Sequence, residues 1–190
     1  MGAAFELGIL GGAKNETEAV KWYRKAAEQG DADAQRNLAR CYLDGQRVAQ
    51  DKREAVNWYR KAAEQDDVDA QYNLGVCYCL GKGVSKDEVE AVKWYRKAAE
   101  QNYTPAQYKL GLCYFKSKGM AKDYVEAYKW MLLAAGRGDK NAKRGVSKLE
   151  ARMTLEQVAE GQKRAQDFKP SEVPSTGSDG SGAGTTQTRP

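Results

Sequence analysis

The stretch AVKWYRKAAEQ at residues 19–29 recurs letter for letter at residues 91–101, and residues 55–65 read AVNWYRKAAEQ. Tryptophan occurs at positions 22, 58, 94 and 130, so successive tryptophans are 36 residues apart. A constant interval of this size is typical of repeat proteins, in which each unit buries its apolar face against its neighbours. The fold and the function therefore have to be read from one repeat.

The overall composition is that of an ordinary folded domain, with 41% hydrophobic and 30% charged residues. The 31 basic and 26 acidic residues are interleaved, which favours a solvated surface over a nucleic-acid-binding stripe. No apolar run approaches the ~20 residues that cross a bilayer, and the start MGAAFELGILGG does not resemble a signal peptide. We expect no membrane insertion and a cytoplasmic location. A periplasmic or secreted location stays open if the sequence is part of a longer chain.

Two residue types limit the chemistry that this chain can perform. It contains no histidine, which removes Ser-His-Asp and Cys-His catalysis and histidine metal ligands. Cys41, Cys77 and Cys113 are again 36 residues apart, so they should lie about one helix diameter, ~10 Å, from one another. That distance is too long for a disulfide or a zinc site. We expect these cysteines and Cys79 to be reduced packing residues, with no metal and no cofactor.

Each repeat contains two helical patterns, which are clearest in residues 67–102. In helix A, Ala70, Leu74 and Tyr78 recur every fourth residue, and Gly75 provides room for another backbone to approach. Helix B has apolar residues at i, i+3, i+4, i+7 and i+8, which form a broad stripe. The stripe consists of Ala91, Trp94, Tyr95, Ala98 and Ala99.

Residues at the predicted helix ends support this division. An Asp or Asn followed three residues later by Glu precedes each helix B, as in a capping box. The four pairs are Asn15 with Glu18, Asp51 with Glu54, Asp87 with Glu90, and Asp123 with Glu126. Gly30, Asp66, Asn102 and Gly138 follow the four B helices and tolerate the left-handed conformation of a C-cap. The turn between helices A and B contains Gly45 and Arg47, Gly81 and Gly83, or Ser117 and Gly119.

The repeated pattern A-x-x-x-L-G-x-x-Y-x-x-G-x-G-V-x-x-D-x-x-x-A-x-x-W-Y-x-K-A-A resembles the Sel1-like repeat, a relative of the tetratricopeptide repeat. Residues 70–99 carry every letter of it, whereas residues 34–63 and 106–135 depart at a few positions. The resemblance implies an all-α fold, an α-α superhelix in which helix-turn-helix units stack into a right-handed solenoid.

The predicted domain organisation follows from the repeats. The solenoid covers residues 1–168, and its first unit has a shortened loop between Gly8 and Ala19. Ala142, Val146 and Ser147 echo a fifth helix A, and Thr154 with Gln157 opens a terminal amphipathic helix. From residue 169 onward the chain is rich in Gly, Ser, Thr and Pro, which predicts a disordered tail. The predicted boundaries are 3–30, 34–66, 70–102 and 106–138 for the repeats, 141–168 for the capping helices and 169–190 for the tail.

The copied segment KWYRKAA admits two interpretations. It could bind nucleic acid, with Trp and Tyr stacking on bases while Lys21, Arg24 and Lys25 neutralise phosphates. We prefer packing, because Trp and Tyr share a stripe with the alanines. On the opposite face, Arg24 with Glu28 is spaced as an i, i+4 ion pair, and the same holds for Arg60 with Glu64 and Arg96 with Glu100. No nucleic-acid partner is therefore expected.

Partner binding is expected where the repeats differ, because the residues that hold the solenoid together are copied. Helix A has such a variable stripe at i, i+4 and i+7, with a flanking residue at i+1. In tetratricopeptide-like solenoids the A helices line the concave surface, so the resemblance implies that these residues face a groove. We call them the groove residues: Arg36, Asn37, Arg40, Leu43, Tyr72, Asn73, Val76, Cys79, Tyr108, Lys109, Leu112 and Phe115.

The sequence leads us to expect a groove that is basic at one end, near Arg36 and Arg40, and aromatic or aliphatic at the other. Exposed apolar rows usually mark binding surfaces. We therefore expect a monomeric, non-catalytic scaffold or adaptor that binds a protein or peptide. For any single groove residue, burial between neighbouring A helices is the alternative.

A hydrolase is the alternative function, because the resemblance extends to cysteine-rich relatives described as β-lactamase-like. Those relatives carry paired cysteines in each repeat, whereas this chain has one equivalent cysteine per repeat. It also lacks Ser-x-x-Lys, the spacing that sets an activating lysine beside an acylating serine. Glu54, Glu90 and Glu126 are spread one per repeat and are better explained as helix caps than as an acid/base pair. We therefore expect no enzymatic activity.

Overall fold

A computed structural model of the chain describes residues 12–171, and within that range all regular secondary structure is α-helical. No segment of these residues forms a helix long and apolar enough to cross a membrane. The predicted first helix A falls in residues 1–11, outside the described residues. The helices are α1 (Gly12–Glu28), α2 (Ala32–Asp44), α3 (Lys52–Glu64), α4 (Val68–Leu80), α5 (Glu88–Glu100), α6 (Thr104–Lys116), α7 (Tyr124–Gly136), α8 (Lys140–Glu150) and α9 (Leu155–Gln166).

Consecutive helices pack against one another from α1 to α8, and the tightest pairs are α2 with α3, α4 with α5, and α6 with α7. These pairs are the predicted A and B helices of the second, third and fourth repeats. Helix α8 packs on α7 as a fifth helix A, and α9 also packs on α7. The predicted all-α superhelix of stacked helix hairpins is therefore confirmed.

The copied residues form the core of this solenoid. Leu38, Leu74 and Leu110 of the A helices are fully buried, and the alanines of α3, α5 and α7 are buried with Tyr59 and Tyr95. Of the four tryptophans, Trp58, Trp94 and Trp130 are buried as predicted. Trp22 lies on the first described helix and is 53% exposed, so its packing role is smaller than that of the others.

The predicted caps are correct for most helices but not for α1. The carboxylates of Asp51, Asp87 and Asp123 each accept a hydrogen bond from a backbone N–H in the first turn of the following helix B. Asn15 is not a cap, because α1 begins at Gly12 and already includes it. A reciprocal capping box is present at α9, where Thr154 and Gln157 bond each other's backbone N–H.

Glutamate at the third helical position of a B helix has a different role from the predicted one. Glu90 accepts a hydrogen bond at 3.1 Å from the indole Nε1 of Trp94, and Glu126 accepts one at 3.1 Å from that of Trp130. These glutamates therefore provide hydrogen-bond acceptors for the indole nitrogens of the buried tryptophans. The equivalent indole nitrogen of Trp58 is buried and has no hydrogen-bond partner among the described residues.

Left-handed backbone occurs at every predicted turn position. The residues after the B helices have φ between 62° and 97°, and those between the A and B helices have φ between 55° and 73°. At two of these positions only glycine fits. A Cβ on Gly83 would lie 1.9 Å from the carbonyl oxygen of Lys52, and one on Gly119 would lie 2.1 Å from that of Glu88. In the third and fourth repeats the loop thus rests on the first turn of the preceding helix B.

Polar side chains also connect successive repeats, in a way that the sequence did not reveal. The buried Gln35, Gln71 and Gln107 donate through Nε2 to the carbonyl oxygens of Ala27, Ala63 and Ala99 on the preceding B helices. Arg24, Arg60 and Arg96 donate to the hydroxyls of Tyr42, Tyr78 and Tyr114 on the next A helix. The predicted i, i+4 pairs of these arginines with Glu28, Glu64 and Glu100 are therefore wrong.

The C-terminal end folds back on the B helices. Phe168 stacks edge-on against Trp130 with ring centroids 5.3 Å apart, and the backbone N–H of Ser171 donates to the carbonyl oxygen of Glu100 at 2.9 Å. The first residues of the predicted tail thus contact the solenoid. Residues 172–190 lie outside the described residues, and the domain boundaries remain a prediction.

Candidate binding groove

The groove residues lie on three successive A helices, α2, α4 and α6, and none of them is buried. Arg40 is exposed, and the others are partly exposed. The copied Ala, Leu and Cys positions on the same helices are buried. The variable stripe and the packing stripe are therefore separate faces of each A helix, as the sequence indicated.

In the N-terminal part of the groove, carboxylates of the protein itself neutralise the charge of Arg36. Arg36 forms ion pairs with Asp33 and, across the repeat boundary, with Asp67 and Asp69. Burial alone would lower the pKa of the Arg36 guanidinium, but the three carboxylates outweigh burial and raise it. The expected free basic end at Arg36 is therefore not supported, because its charge is already compensated within the protein.

The middle of the groove is closed by aromatic packing. Tyr72 lies between Tyr95 and Tyr103, at centroid distances of 5.9 and 5.5 Å. The hydroxyl of Tyr103 donates to Asp69 at 2.6 Å, which joins this cluster to the charged cluster of Arg36. Val76 and Cys79 are partly buried in the same hydrophobic cluster. Only parts of these side chains are therefore available to a partner.

The C-terminal part of the groove is open. A cavity of about 300 Å³ lies where α6, α7 and α8 meet, and we call it the α6–α8 cavity. Three predicted groove residues, Tyr108, Leu112 and Phe115, form part of its wall. The complete wall consists of Tyr108, Leu112, Phe115, Lys116, Met131, Asn141, Arg144, Gly145 and Lys148.

The residues of α8 were missed because the stripe was followed through three A helices only. Adding 36 to Tyr108 gives Arg144, and adding 36 to Leu112 gives Lys148. Both residues line the cavity. The sequence therefore held the signal, since the fifth helix A was already recognised from Ala142.

Substitutions in the fourth and fifth units shape the α6–α8 cavity. Met131 occupies the position that Tyr95 occupies one repeat earlier, and a Cβ on Gly145 would lie 2.5 Å from its sulfur. Helix α8 can therefore approach α7 closely at this point. Phe115 stands where Cys79 stands, and its ring contacts Tyr124 at 5.8 Å and the guanidinium of Arg152 at 5.3 Å.

Two of the cysteines have thiols of low reactivity. None of the four forms a disulfide within residues 12–171, and burial raises the pKa of Cys77 and of Cys113 to about 11. A thiol with a raised pKa stays protonated near neutral pH and is a poor nucleophile. No group of three or more Cys, Asp or Glu in residues 12–171 is arranged to hold a metal ion.

A family model for the Sel1 repeat matches the chain four times, at residues 1–31, 32–67, 68–103 and 104–139. The chain belongs to the Sel1 repeat family. Sel1 repeat proteins are generally protein-interaction scaffolds and are typically non-catalytic. No curated protein gives a significant match to the chain.

Solved Sel1 repeat structures resemble this one. A Sel1 repeat protein from Oxalobacter formigenes is 41% identical with a TM-score of 0.62, over 66% of this chain and 95% of that one. A protective antigen of uropathogenic Escherichia coli with an SLR fold is 32% identical with a TM-score of 0.52, and the match covers 88% of this chain but 44% of the antigen. Cysteine-rich protein B of Helicobacter pylori is 25% identical with a TM-score of 0.54, over 68% of this chain and 93% of that one.

Proposed function

We propose that this Sel1 repeat protein is a non-catalytic scaffold that holds a protein or peptide partner against the groove residues of its A helices. The observation that supports the proposal is the separation of two faces on each A helix. Copied positions such as Leu38, Leu74 and Leu110 are fully buried, whereas the positions that vary between repeats remain accessible. A face that varies while the framework is conserved within the chain suits recognition of a partner.

The groove has the composition of a binding surface rather than of a solvated face. Tyr72, Val76, Tyr108, Leu112 and Phe115 place partly exposed apolar area on consecutive A helices. Contiguous exposed apolar area of this kind usually marks an interaction site. Aromatic anchors surrounded by polar groups are also the residues that contribute most to binding energy at protein interfaces.

Affinity purification from the native cells, followed by mass spectrometry, tests the proposal. The groove variant combines Tyr72→Ala, Leu112→Ala and Phe115→Ala. The control variant combines Asn57→Ala, Val89→Ala and Lys93→Ala, which truncate exposed residues of the B helices. We expect a specific set of partners that the groove variant loses and the control variant retains.

The opposite result would remove the groove from the function. If the groove variant is folded by circular dichroism and retains every partner, binding occurs on another surface. The non-catalytic part of the proposal has a separate test, since turnover of nitrocefin by the purified chain would establish a β-lactamase-like hydrolase. Light scattering of the purified chain checks the proposed monomeric state.

A further inference from the structure

The α6–α8 cavity is surrounded by positive charge that the protein does not neutralise. Helices α6 and α8 together carry six basic residues and one acidic residue, whereas α2 and α4 carry two basic and three acidic residues. The acidic residue of α8, Glu150, accepts a hydrogen bond from the hydroxyl of Tyr128 at 2.8 Å. The charge of the A-helix face is thus concentrated at its C-terminal end.

Three of these cations stand on the wall of the cavity. Lys116, Arg144 and Lys148 are exposed, and within residues 12–171 none of them forms an ion pair. Arg144 donates a hydrogen bond to the neutral amide of Asn141, which leaves its charge uncompensated. In contrast, Arg36 at the other end of the groove is paired with three carboxylates.

The same cavity has an apolar wall. Leu112 and Phe115 of α6 are partly exposed, and the buried Met131 forms the α7 side of the wall. A volume of about 300 Å³ accommodates one large apolar side chain with part of its backbone. Cations at the rim of an apolar cavity complement a ligand that has an aliphatic or aromatic side chain next to a carboxylate.

We propose that the α6–α8 cavity binds an acidic peptide segment, with an apolar side chain of that segment in the cavity and its carboxylates against Lys116, Arg144 and Lys148. This assignment rests on the proposed scaffold function and narrows it to one end of the groove and one class of partner. Charge complementarity of this kind raises the association rate and selects the partner. It also predicts that affinity falls as salt increases, because rim charges are screened over about 10 Å at 0.1 M salt.

The observations favour a peptide over a nucleic acid at this site. Single-stranded nucleic acids need aromatic rings with open faces for base stacking. Of the two aromatic rings on the cavity wall, that of Phe115 is already contacted by Tyr124 and by the guanidinium of Arg152. The other, Tyr108, is partly buried against a cluster of alanines from α7 and α8. The cations are also gathered around a cavity rather than aligned along a track for a phosphate backbone.

Selection from a phage library of random twelve-residue peptides against the purified chain tests the assignment. We expect the enriched peptides to combine Asp or Glu with a nearby aromatic or large aliphatic residue. Fluorescently labelled copies of the enriched peptides then give dissociation constants by anisotropy. The double variant Arg144→Glu with Lys148→Glu should weaken binding about tenfold or more, because it reverses two charges at the rim.

A matched control separates the cavity from the overall charge. Lys140→Glu with Lys143→Glu makes the same charge change on two exposed residues of α8 that do not line the cavity. This control should weaken binding less than about threefold. Thermal melting by circular dichroism verifies that both variants fold, and Arg144→Gln with Lys148→Gln replaces the cavity variant if it does not.

Each other outcome counts against a specific statement. Enriched peptides without acidic residues, or equal losses in the two double variants, would overturn the cavity assignment and leave the scaffold function standing. Tighter binding of a twenty-residue oligothymidylate than of the peptides, abolished by the cavity variant, would also overturn it. If no peptide is enriched at all, the cavity assignment fails, and the scaffold function is still decided by the affinity purification with the groove and control variants.

Discussion

The N-terminal half of the groove, on α2 and α4, and the C-terminal half, on α6 and α8, are built on the same 36-residue interval but are closed to different degrees. In the N-terminal half, Arg36 is neutralised by carboxylates and Tyr72 is held between two tyrosines. In the C-terminal half, Arg144 has no carboxylate partner within residues 12–171 and borders a cavity. A few substitutions at equivalent positions therefore distinguish a surface whose charged and aromatic groups are paired within the protein from a surface that can accept a ligand.

The largest expected loss of stability concerns Tyr95 and Met131, which occupy equivalent buried positions on the B helices of the two halves. Tyr95→Ala should lower the free energy of unfolding by about 3–5 kcal/mol, because a buried ring and its contacts with Tyr72 are lost. Met131→Ala should cost about 2–3 kcal/mol, since a cavity already lies beside Met131. Urea denaturation of both variants measures the two costs. Equal costs would show that the two halves are filled to the same degree.

The next difference is electrostatic. Arg36→Met should lower the free energy of unfolding by about 2–3 kcal/mol, because it leaves the poorly solvated carboxylate of Asp67 without a cation. The matched variant Arg144→Met should change stability by less than about 0.5 kcal/mol, since Arg144 is exposed and forms no ion pair with the described part of the chain. The same urea denaturation compares them. A large loss at Arg144 would contradict the description of its charge as uncompensated.

Two glycines give a smaller contrast. A Cβ at position 75 would lie 2.8 Å from the ring of Tyr95 and 3.2 Å from the carbonyl oxygen of Ala91, so Gly75→Ala should cost about 1–3 kcal/mol. A Cβ at position 145 would meet the flexible side chain of Met131, which can move toward the cavity. Gly145→Ala should therefore cost less than about 1 kcal/mol. Thermal melting of the two single variants tests whether the side chain of Met131 can move toward the cavity in this way.

The smallest effect concerns binding and uses the labelled peptides selected on the α6–α8 cavity. Leu112→Ala should raise their dissociation constant about fivefold, because it removes apolar area from the wall of the cavity. Val76→Ala, at the equivalent position one repeat earlier, should raise it less than about twofold. Similar losses would mean that the peptide extends along the whole groove, which would remove the distinction between the halves.

Much of the fold could be predicted from the sequence, because the same capping, turn and packing residues recur in successive repeats. The left-handed positions at Asp66 and Asn102, the caps at Asp87 and Asp123, and the buried leucines all follow from local stereochemistry and periodicity. The cap predicted at Asn15 was wrong because α1 starts at Gly12, three residues before Asn15.

Partners across repeat boundaries were harder to predict. Arg60 has Glu64 one turn away, yet it donates to the hydroxyl of Tyr78 on the next helix. Sequence spacing identifies neighbours on one helix, but it does not tell which of two acceptors lies at the better distance and angle. For the same reason the sequence did not predict the ion pair of Arg36 with Asp67, which joins two successive repeats.

The contacts of Gly83 and Gly119 with the preceding B helix limit how such a molecule can vary over evolutionary time. A loop whose backbone touches the carbonyl oxygens of Lys52 or Glu88 has no room for a side chain or an extra residue at that point. The packing of the loop on the preceding helix B is therefore fixed at these two junctions. We expect binding specificity to change by exchange of exposed side chains, or by gain or loss of whole 36-residue units.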